Sequence, residues 1–475
     1  MRPTLTATPA NGAELRVLAN PLLSAPIFPT LLRLSLPNMF AMLALASVAI
    51  AETGYVGLLG TASLAGLAMV FPMVMLTTMM SSGAMGGGVS SAISRALGAR
   101  QEERASALAM HALVIGCVAG LASTVLMLKF GPAIYSLLGG KGTALEQALI
   151  YSNVVFLGAL GMWLTNTLAS VVRGGGNMKI PSLTLAVAAL VQVVLGGGLG
   201  LGLGPFPKWG MTGIALGQVI AANGGALFLL CYLISGRSRV RLDFRKFDLN
   251  AEMFRDILKV GGLACISPLQ TVLAVLVVTR LVSAFGTEAL AGYGIGARLE
   301  FLLIPIAFGI GVACVPMVGM AIGAEDVVRA RNVAWTGGAL AAALVGSVGL
   351  IVAVFPEAWA KLFTSEPVVL ASAHAYFNWV GPCYPLYGLG LCLYFASQGA
   401  GKVLWPVLAG TLRLVMVAAG GWWLTSWPAP VWLMFALVGA AMAAYGVATA
   451  AAIYFVSWNV KKAVARPALA SEANG

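Results

Sequence analysis

Twelve stretches of about 20 mostly apolar residues follow one another along this chain, starting near Leu34, Ala62, Ala105, Leu145, Ile180, Trp209, Leu258, Ala289, Val333, Val368, Leu404 and Val431. Each is long enough to cross a bilayer as a helix. Of the 475 residues only 9% are charged while 60% are hydrophobic, so no water-facing surface of ordinary polarity can be built. The expected fold class is therefore an all-α integral membrane protein with 12 transmembrane helices.

Other classes fall to the same composition. The 58 Gly and 22 Pro show no G-x-y period, and the 6 Cys lie inside apolar runs with neither a CxxC nor a metal-ligand spacing, which argues against a fibre, a disulfide scaffold and a metal site. The balance of 28 basic over 16 acidic residues does not indicate nucleic acid, because the basic residues lie between apolar runs and form no patch with interleaved aromatics. Residues 1–29 lack an apolar core followed by an A-x-A site, so no cleaved signal peptide is expected.

Short turn-rich breaks separate the stretches, for example Gly139-Gly140-Lys141-Gly142 and Trp427-Pro428-Ala429-Pro430. One longer break, Gly236 to Phe254, carries Arg237, Arg239, Arg241, Arg245 and Lys246 and divides the chain into two sets of six spans. The domain reading is a tail over 1–29, an N-lobe over 30–235, a linker over 236–256, a C-lobe over 257–460 and a second tail over 461–475. With the N-terminus inside, the tails and even-numbered loops carry about 21 of the 28 basic residues, which places both termini and the linker in the cytoplasm. The location expected is the plasma (inner) membrane, multi-pass.

The chain also repeats itself. Leu59-Gly60-Thr61-Ala62-Ser63-Leu64-Ala65-Gly66 is echoed about 226 residues later by Phe285-Gly286-Thr287-Glu288-Ala289-Leu290-Ala291-Gly292. Leu97-Gly98-Ala99 meets Ile322-Gly323-Ala324, and Gly174 through Pro181 meets Gly399 through Pro406, in nearly the same register. Six spans per half put both halves the same way up, as two parallel six-helix bundles related by pseudo-two-fold symmetry about the membrane normal. That is a transporter architecture with a cavity between the bundles.

These blocks carry a resemblance. Glu52-Thr53-Gly54-Tyr55-Val56-Gly57-Leu58-Leu59-Gly60 is similar to the D-T-x-x-V-G-x-L-G end of the first helix in MATE (multidrug and toxic compound extrusion) transporters of the prokaryotic type. Arg173-Gly174-Gly175-Gly176-Asn177-Met178-Lys179-Ile180-Pro181 and Gln398-Gly399-Ala400-Gly401 resemble the family's R-G-x-G-x-x-x-x-P and Q-G-x-G patterns. The resemblance covers about residues 30 to 460. It implies a 12-helix antiporter that moves amphipathic or cationic organic compounds out of the cell against inward H⁺ or Na⁺, with no cofactor, as a monomer in the lipid bilayer.

Glu52 is the sharpest single residue, since a carboxyl inside a span is costly and points to function. Burial disfavours its charged form, which suits it to take and release a proton. The alternative is an interfacial Glu near the end of its helix. By the resemblance Glu52 stands at the motor carboxylate of the first helix, Gln192 where Asn is common, Gly196 where many members have a second Asp, and Gln218 where Thr is common. Glu52, Gln192 and Gln218 would then form a polar cluster with one carboxylate, which suits a proton better than Na⁺. Both Gln residues could instead bond between helices.

The C-lobe counterpart of Glu52 is Val278, and the tenth span holds no acid. Glu300, on the eighth span, lies two residues from Arg298. A structural or gating network of Arg298, Glu300 and Arg413 is expected, with direct proton coupling as the alternative. For the substrate wall, Tyr384, Tyr387 and Tyr394 share one helical face beside Pro382 and Pro385, and aromatic faces attract organic cations; ordinary packing gives the same stripe. Met69, Met73 and Met80 are open to the same two readings. Asn38 and Asn166 are candidates for the cavity lining, Pro37 for a bend in the first span, and His111 and His374 for structural roles.

Three function classes compete. A secondary antiporter leads. Na⁺-coupled efflux or a lipid-linked saccharide flippase is the alternative, the flippase disfavoured by few basic residues at membrane depth. An enzyme lacks any HExxH, GxSxG or acid cluster, and no GxxxxGK[ST] occurs for ATP-driven pumping.

Overall fold

The computed structural model describes residues 21–244, 248–456 and 458, and among the described residues every regular element is a helix. After one turn at Pro21–Ser24, the first span is Ile27–Leu59, the second Thr61–Gly98 and the third Glu102–Leu137. The fourth is a pair, Gly142–Leu157 and Ala159–Gly174, bent by 49°. Lys179–Leu201 and Gly210–Ile234 complete the N-lobe. The C-lobe follows as Ala251–Phe285, Thr287–Gly323, Val327–Val354, the pair Pro367–Val380 and Tyr384–Gly399, Leu404–Thr425 and Val431–Phe455. Ten of these are long and apolar enough to cross a bilayer, and the bent fourth pair makes eleven. The tenth completes twelve; a 3-10 turn at Gly381–Cys383 divides it, because Pro382 and Pro385 cannot donate to the helix ladder.

Two boundaries differ from the sequence reading. The first span begins at Ile27, inside the tail expected over 1–29. The seventh begins at Ala251, inside the linker expected over 236–256, because the Asn250 side chain accepts the Glu252 N–H at 2.8 Å and caps the helix. Arg245 and Lys246, residues 1–20 and the tail from 461 lie outside the described residues.

The repeat is written into the backbone. Gly60 and Gly286 both have positive φ (118° and 108°), as do Gly176 and Gly401 (90° and 71°). Arg100 and Glu325, again repeat partners, hold φ of 61° and 63°, a conformation that costs a residue with a Cβ about 1–2 kcal/mol. The two halves therefore turn corners the same way even where no glycine eases the turn.

The packing shows where the lobes join. One apolar core runs across both lobes at the end that carries the termini, with Leu31, Val89 and Ile93 against Met317, Val318 and Cys392. Glycines allow this seam: a Cβ on Gly88 would strike the Gly261 backbone, and one on Gly309 would strike Met39. Arg95 pairs with Asp256 at 2.6 Å and Arg104 with Glu252 at 3.0 Å across the same end, and Ser91 Oγ donates to the Gln398 carbonyl. Further from the termini each lobe keeps a core of its own, around Val56, Tyr151 and Phe156 in the N-lobe and around Tyr376, Phe377 and Phe435 in the C-lobe. Among the described residues no hydrogen bond or ion pair joins the lobes there. Large apolar side chains such as Phe40, Ile50, Leu190, Trp422 and Phe455 stand exposed on the outside, as a lipid-facing surface requires.

Candidate functional site

The far half of the N-lobe holds Glu52, half-buried on the first span. Tyr151 of the fourth span comes to it: the Tyr151 hydroxyl lies 2.6 Å from Glu52 Oε1 and 3.0 Å from Gln218 Oε1 of the sixth span. Tyr151 itself is buried, and neighbouring Ser152 bonds Tyr135 at 2.6 Å. A phenol has one hydrogen to give, so the three groups form a directional chain. With Glu52 ionised, Tyr151 donates to it and the Gln218 amide donates to Tyr151. With Glu52 protonated, the carboxyl donates to Tyr151, which donates to the Gln218 carbonyl. A turn of the Gln218 amide, whose O and N are interchangeable in such networks, satisfies both protonation states without moving a helix.

Gln192 does not join this cluster, contrary to expectation. Its backbone carbonyl faces Gly217 of the sixth span, and its half-buried side chain bonds none of Glu52, Tyr151 and Gln218. The fifth and sixth spans meet there backbone to backbone through Gly196 and Gly217, which leaves Tyr151 as the bridge.

In the C-lobe the network differs from the one read in the sequence. Glu300 accepts from Tyr376 and, at 3.5 Å, from Tyr384. Glu300, Tyr384 and Tyr387 line a small cavity of about 10 Å³. Arg413 lies 5.1 Å from the ring centre of Tyr387, which shares that cavity with Glu300, and among the described residues Arg413 and Glu300 form no direct ion pair. Arg298 is no part of this: it is exposed and rests 4.9 Å from the Phe363 ring centre. Residues two apart on a helix point to different faces, which is why Arg298 and Glu300 part company.

A central cavity of about 70 Å³ lies between the second span and the C-lobe, lined by Met79, Gln270, Phe308, Tyr387, Tyr394, Arg413 and Tyr445 among others. Seven π-helical residues, Met79–Met85, open the second span at this point. Tyr387 and Tyr394 line this cavity, whereas Tyr384 turns to Glu300. Asn38 and Asn166 are absent from its lining. Asn38 bonds Met178 Sδ at 3.4 Å and accepts from Ser182 at 3.0 Å, and Asn166 donates to Ser81 at 2.8 Å, so both tie N-lobe helices together. Pro37 lies inside the unbroken first span, one residue before Asn38, and cannot bond the Arg33 carbonyl.

Sequence reading missed Tyr151 and Tyr376. A signal was present: the two occupy the same position of the repeat, 151 and 376, at the offset that relates Gly176 to Gly401.

Comparison with known proteins bears on the whole arrangement. The MatE family profile matches residues 37–196 and again 264–423, once per lobe and within two residues of the repeat offset. The chain belongs to the MATE family. Among its relatives, the FAD transporter of Shewanella oneidensis is 27% identical over 79% of this chain and 82% of its own length, and the probable multidrug resistance protein YoeA of Bacillus subtilis is 27% identical over 74% and 76%. A solved multidrug resistance MATE family transporter in an outward-facing conformation shares the fold with a TM-score of 0.82 at 24% identity, covering 91% of this chain and 96% of that one. A MOP superfamily transporter from Pyrococcus furiosus superposes with a TM-score of 0.83 at 24% identity, over 91% and 97%. The chain is thus a multi-pass membrane transporter with the two-bundle MATE architecture.

Proposed function

We propose that this MATE protein is a secondary antiporter that exports amphipathic organic compounds, cationic ones among them, in exchange for protons carried by Glu52. The observation that carries this reading is Tyr151 within hydrogen-bond distance of both Glu52 and Gln218, a chain that a turn of the Gln218 amide would keep bonded with Glu52 either charged or neutral. A site that tolerates both states is what a proton carrier needs, and a lone carboxylate with an amide and a phenol offers Na⁺ no second anionic ligand. Basic residues at the terminus end, with the positive-inside rule, support cytoplasmic termini in the plasma membrane. The seam then closes the cytoplasmic side, and the cleft between the separate lobe cores faces out, where water brings a proton to Glu52. Protonation removes a charge from the N-lobe wall, which permits that lobe to close on a drier site and release substrate. One chain supplies both lobes, so a monomer suffices.

A second reading of the substrate rests on Arg413. Among the described residues it is the one charged group lining the central cavity, and with Tyr387, Phe308 and Tyr445 it offers a planar compound an aromatic wall and an anion a cationic anchor, in keeping with a relative that is an FAD transporter.

The deciding experiment is transport by purified protein in proteoliposomes, with a fluorescent cation and a flavin nucleotide as substrates, under an imposed pH gradient and then a Na⁺ gradient. The reading requires that the pH gradient drive transport of at least one of them. Transport under Na⁺ alone would overturn it.

A further inference from the structure

The lobe seam holds a charged side chain that the transport reading does not use. Arg173 ends the fourth span at the Arg173-Gly174-Gly175-Gly176 turn and is 2% exposed. Among the described residues no carboxylate lies within ion-pair distance of it, and its Nε–H is buried with no acceptor. Arginine keeps its proton in proteins, so this is a fixed positive charge. A buried ion with no counter-charge is strongly destabilising.

Its surroundings show what would compensate it. Arg173 lines a small cavity of about 10 Å³ with Ser82 and Ser90 of the second span and Ser170 of its own span. Ser82 and Ser170 give their hydroxyl hydrogens to the Thr78 and Asn166 carbonyls at 2.7 and 2.8 Å. Ser90 Oγ is buried with no partner. Gly83, Gly86 and Gly87 of the second span and the apolar Val312, Val315 and Phe395 of the C-lobe complete the wall. Two unused donors, one of them charged, therefore converge on a space for one small particle that no acid faces.

We infer that Arg173 and Ser90 form a binding site for a small monovalent anion of halide size, chloride being the abundant physiological case. A water molecule would satisfy Ser90 but leave the charge of Arg173 uncompensated; a halide answers both, and charge-assisted bonds of this kind are the strong ones. A cavity this size admits a particle about as large as a water molecule, which excludes phosphate and organic acids. Both unpartnered donors come from the N-lobe and the apolar side chains facing them from the C-lobe, so the anion would sit at the seam between the lobes.

The test is thermal unfolding of the full-length protein in detergent, with chloride exchanged for bromide, acetate, phosphate or gluconate at constant ionic strength. Binding to the folded state alone raises the midpoint by mass action. Chloride and bromide are expected to raise it in a saturable way, and acetate, phosphate and gluconate are not. Arg173→Gln is expected to abolish the chloride response whatever its own midpoint. Should that variant not fold, Ser90→Ala decides: losing one hydrogen bond of about 1 kcal/mol raises the half-saturating chloride about fivefold. Bromide-soaked crystals should show an anomalous peak beside Arg173. Equal midpoints in chloride and gluconate, a wild-type response in the folded variants, or acetate and phosphate matching chloride would each overturn the assignment.

Discussion

In the N-lobe Tyr151 of the fourth span reaches Glu52 of the first; in the C-lobe Tyr376, its repeat partner, reaches Glu300 of the eighth. The same tyrosine position thus meets a carboxylate in each lobe, delivered by different spans, since Glu52 is matched by Val278 and Glu300 by no acid in the N-lobe. What surrounds each pair differs more. Tyr151 has a second partner, Gln218, which can give or accept. Glu300 has instead a second hydroxyl donor, Tyr384, and a guanidinium one tyrosine away at Arg413. The Tyr376 ring is packed by Phe377 and Phe435, with ring centres 5.6 and 5.3 Å away. One lobe holds a carboxyl that can change its charge without stranding a partner. The other holds a carboxyl set between two phenol donors, with a guanidinium in the neighbourhood.

The largest effect is therefore expected at Glu52. Glu52→Gln should fold, bind substrate and lose proton-driven exchange by about 100-fold or more, since the proton carrier is gone and each 1.4 kcal/mol of lost coupling is tenfold. Wild-type exchange by this variant in proteoliposomes would end the proposal and move attention to Glu300. Tyr151→Phe comes next. It keeps the ring in its apolar setting but leaves Glu52 and Gln218 without their bridge, so the pH dependence of transport should change shape while the maximal rate falls about tenfold, the cost of one charge-assisted bond at about 1.5–3 kcal/mol. An unaltered pH profile would show that the bridge is mere packing.

How far the sequence reaches can be judged from the same residues. The spans, their order and the repeat were legible, because apolar length and Gly or Pro breaks are local properties that need no partner. Glu52 was legible because an acid in an apolar run is costly wherever it points. Tyr151 and Tyr376 were not, since a tyrosine in an apolar run costs little and only distance to another span reveals its use. Gln192 shows the reverse error: its place along the fifth span suggested the cluster, but the Gly196–Gly217 contact decides which way its backbone faces. The π-helical Met79–Met85 segment escaped for a like reason. The glycines at 83 and 86–88 mark a weak point, and whether it widens the helix depends on what packs there.

Glu300→Gln should act on stability before transport. The amide oxygen can still accept from both tyrosines, which donate to one oxygen of Glu300, but the bonds lose their charge assistance and Arg413 loses a nearby anion, a loss of about 1–3 kcal/mol. The unfolding midpoint in detergent should fall by a few degrees and abundance with it, while exchange per folded molecule stays within about threefold, far short of the 1.4 kcal/mol step. Loss of exchange as large as that of Glu52→Gln, at wild-type stability, would make the lobes equivalent in function and erase the contrast drawn above.

Arg298→Gln should have the smallest effect, and for that reason it separates the observed C-lobe network from the one expected from the sequence. A charge buried against Glu300 would, on losing its partner, cost about 3–5 kcal/mol. Arg298 is exposed instead, and its guanidinium rests on Phe363, a contact worth about 0.5–1 kcal/mol at an exposed site. Glutamine keeps much of the stem that covers the ring, so the unfolding midpoint and the transport rate should both remain at wild-type levels within error. In a double variant with Glu300→Gln the two changes should add, because side chains on different faces of the helix that share no partner act independently. A destabilisation by Arg298→Gln as large as that of Glu300→Gln, or a double variant no worse than either single one, would place Arg298 back in the Glu300 network.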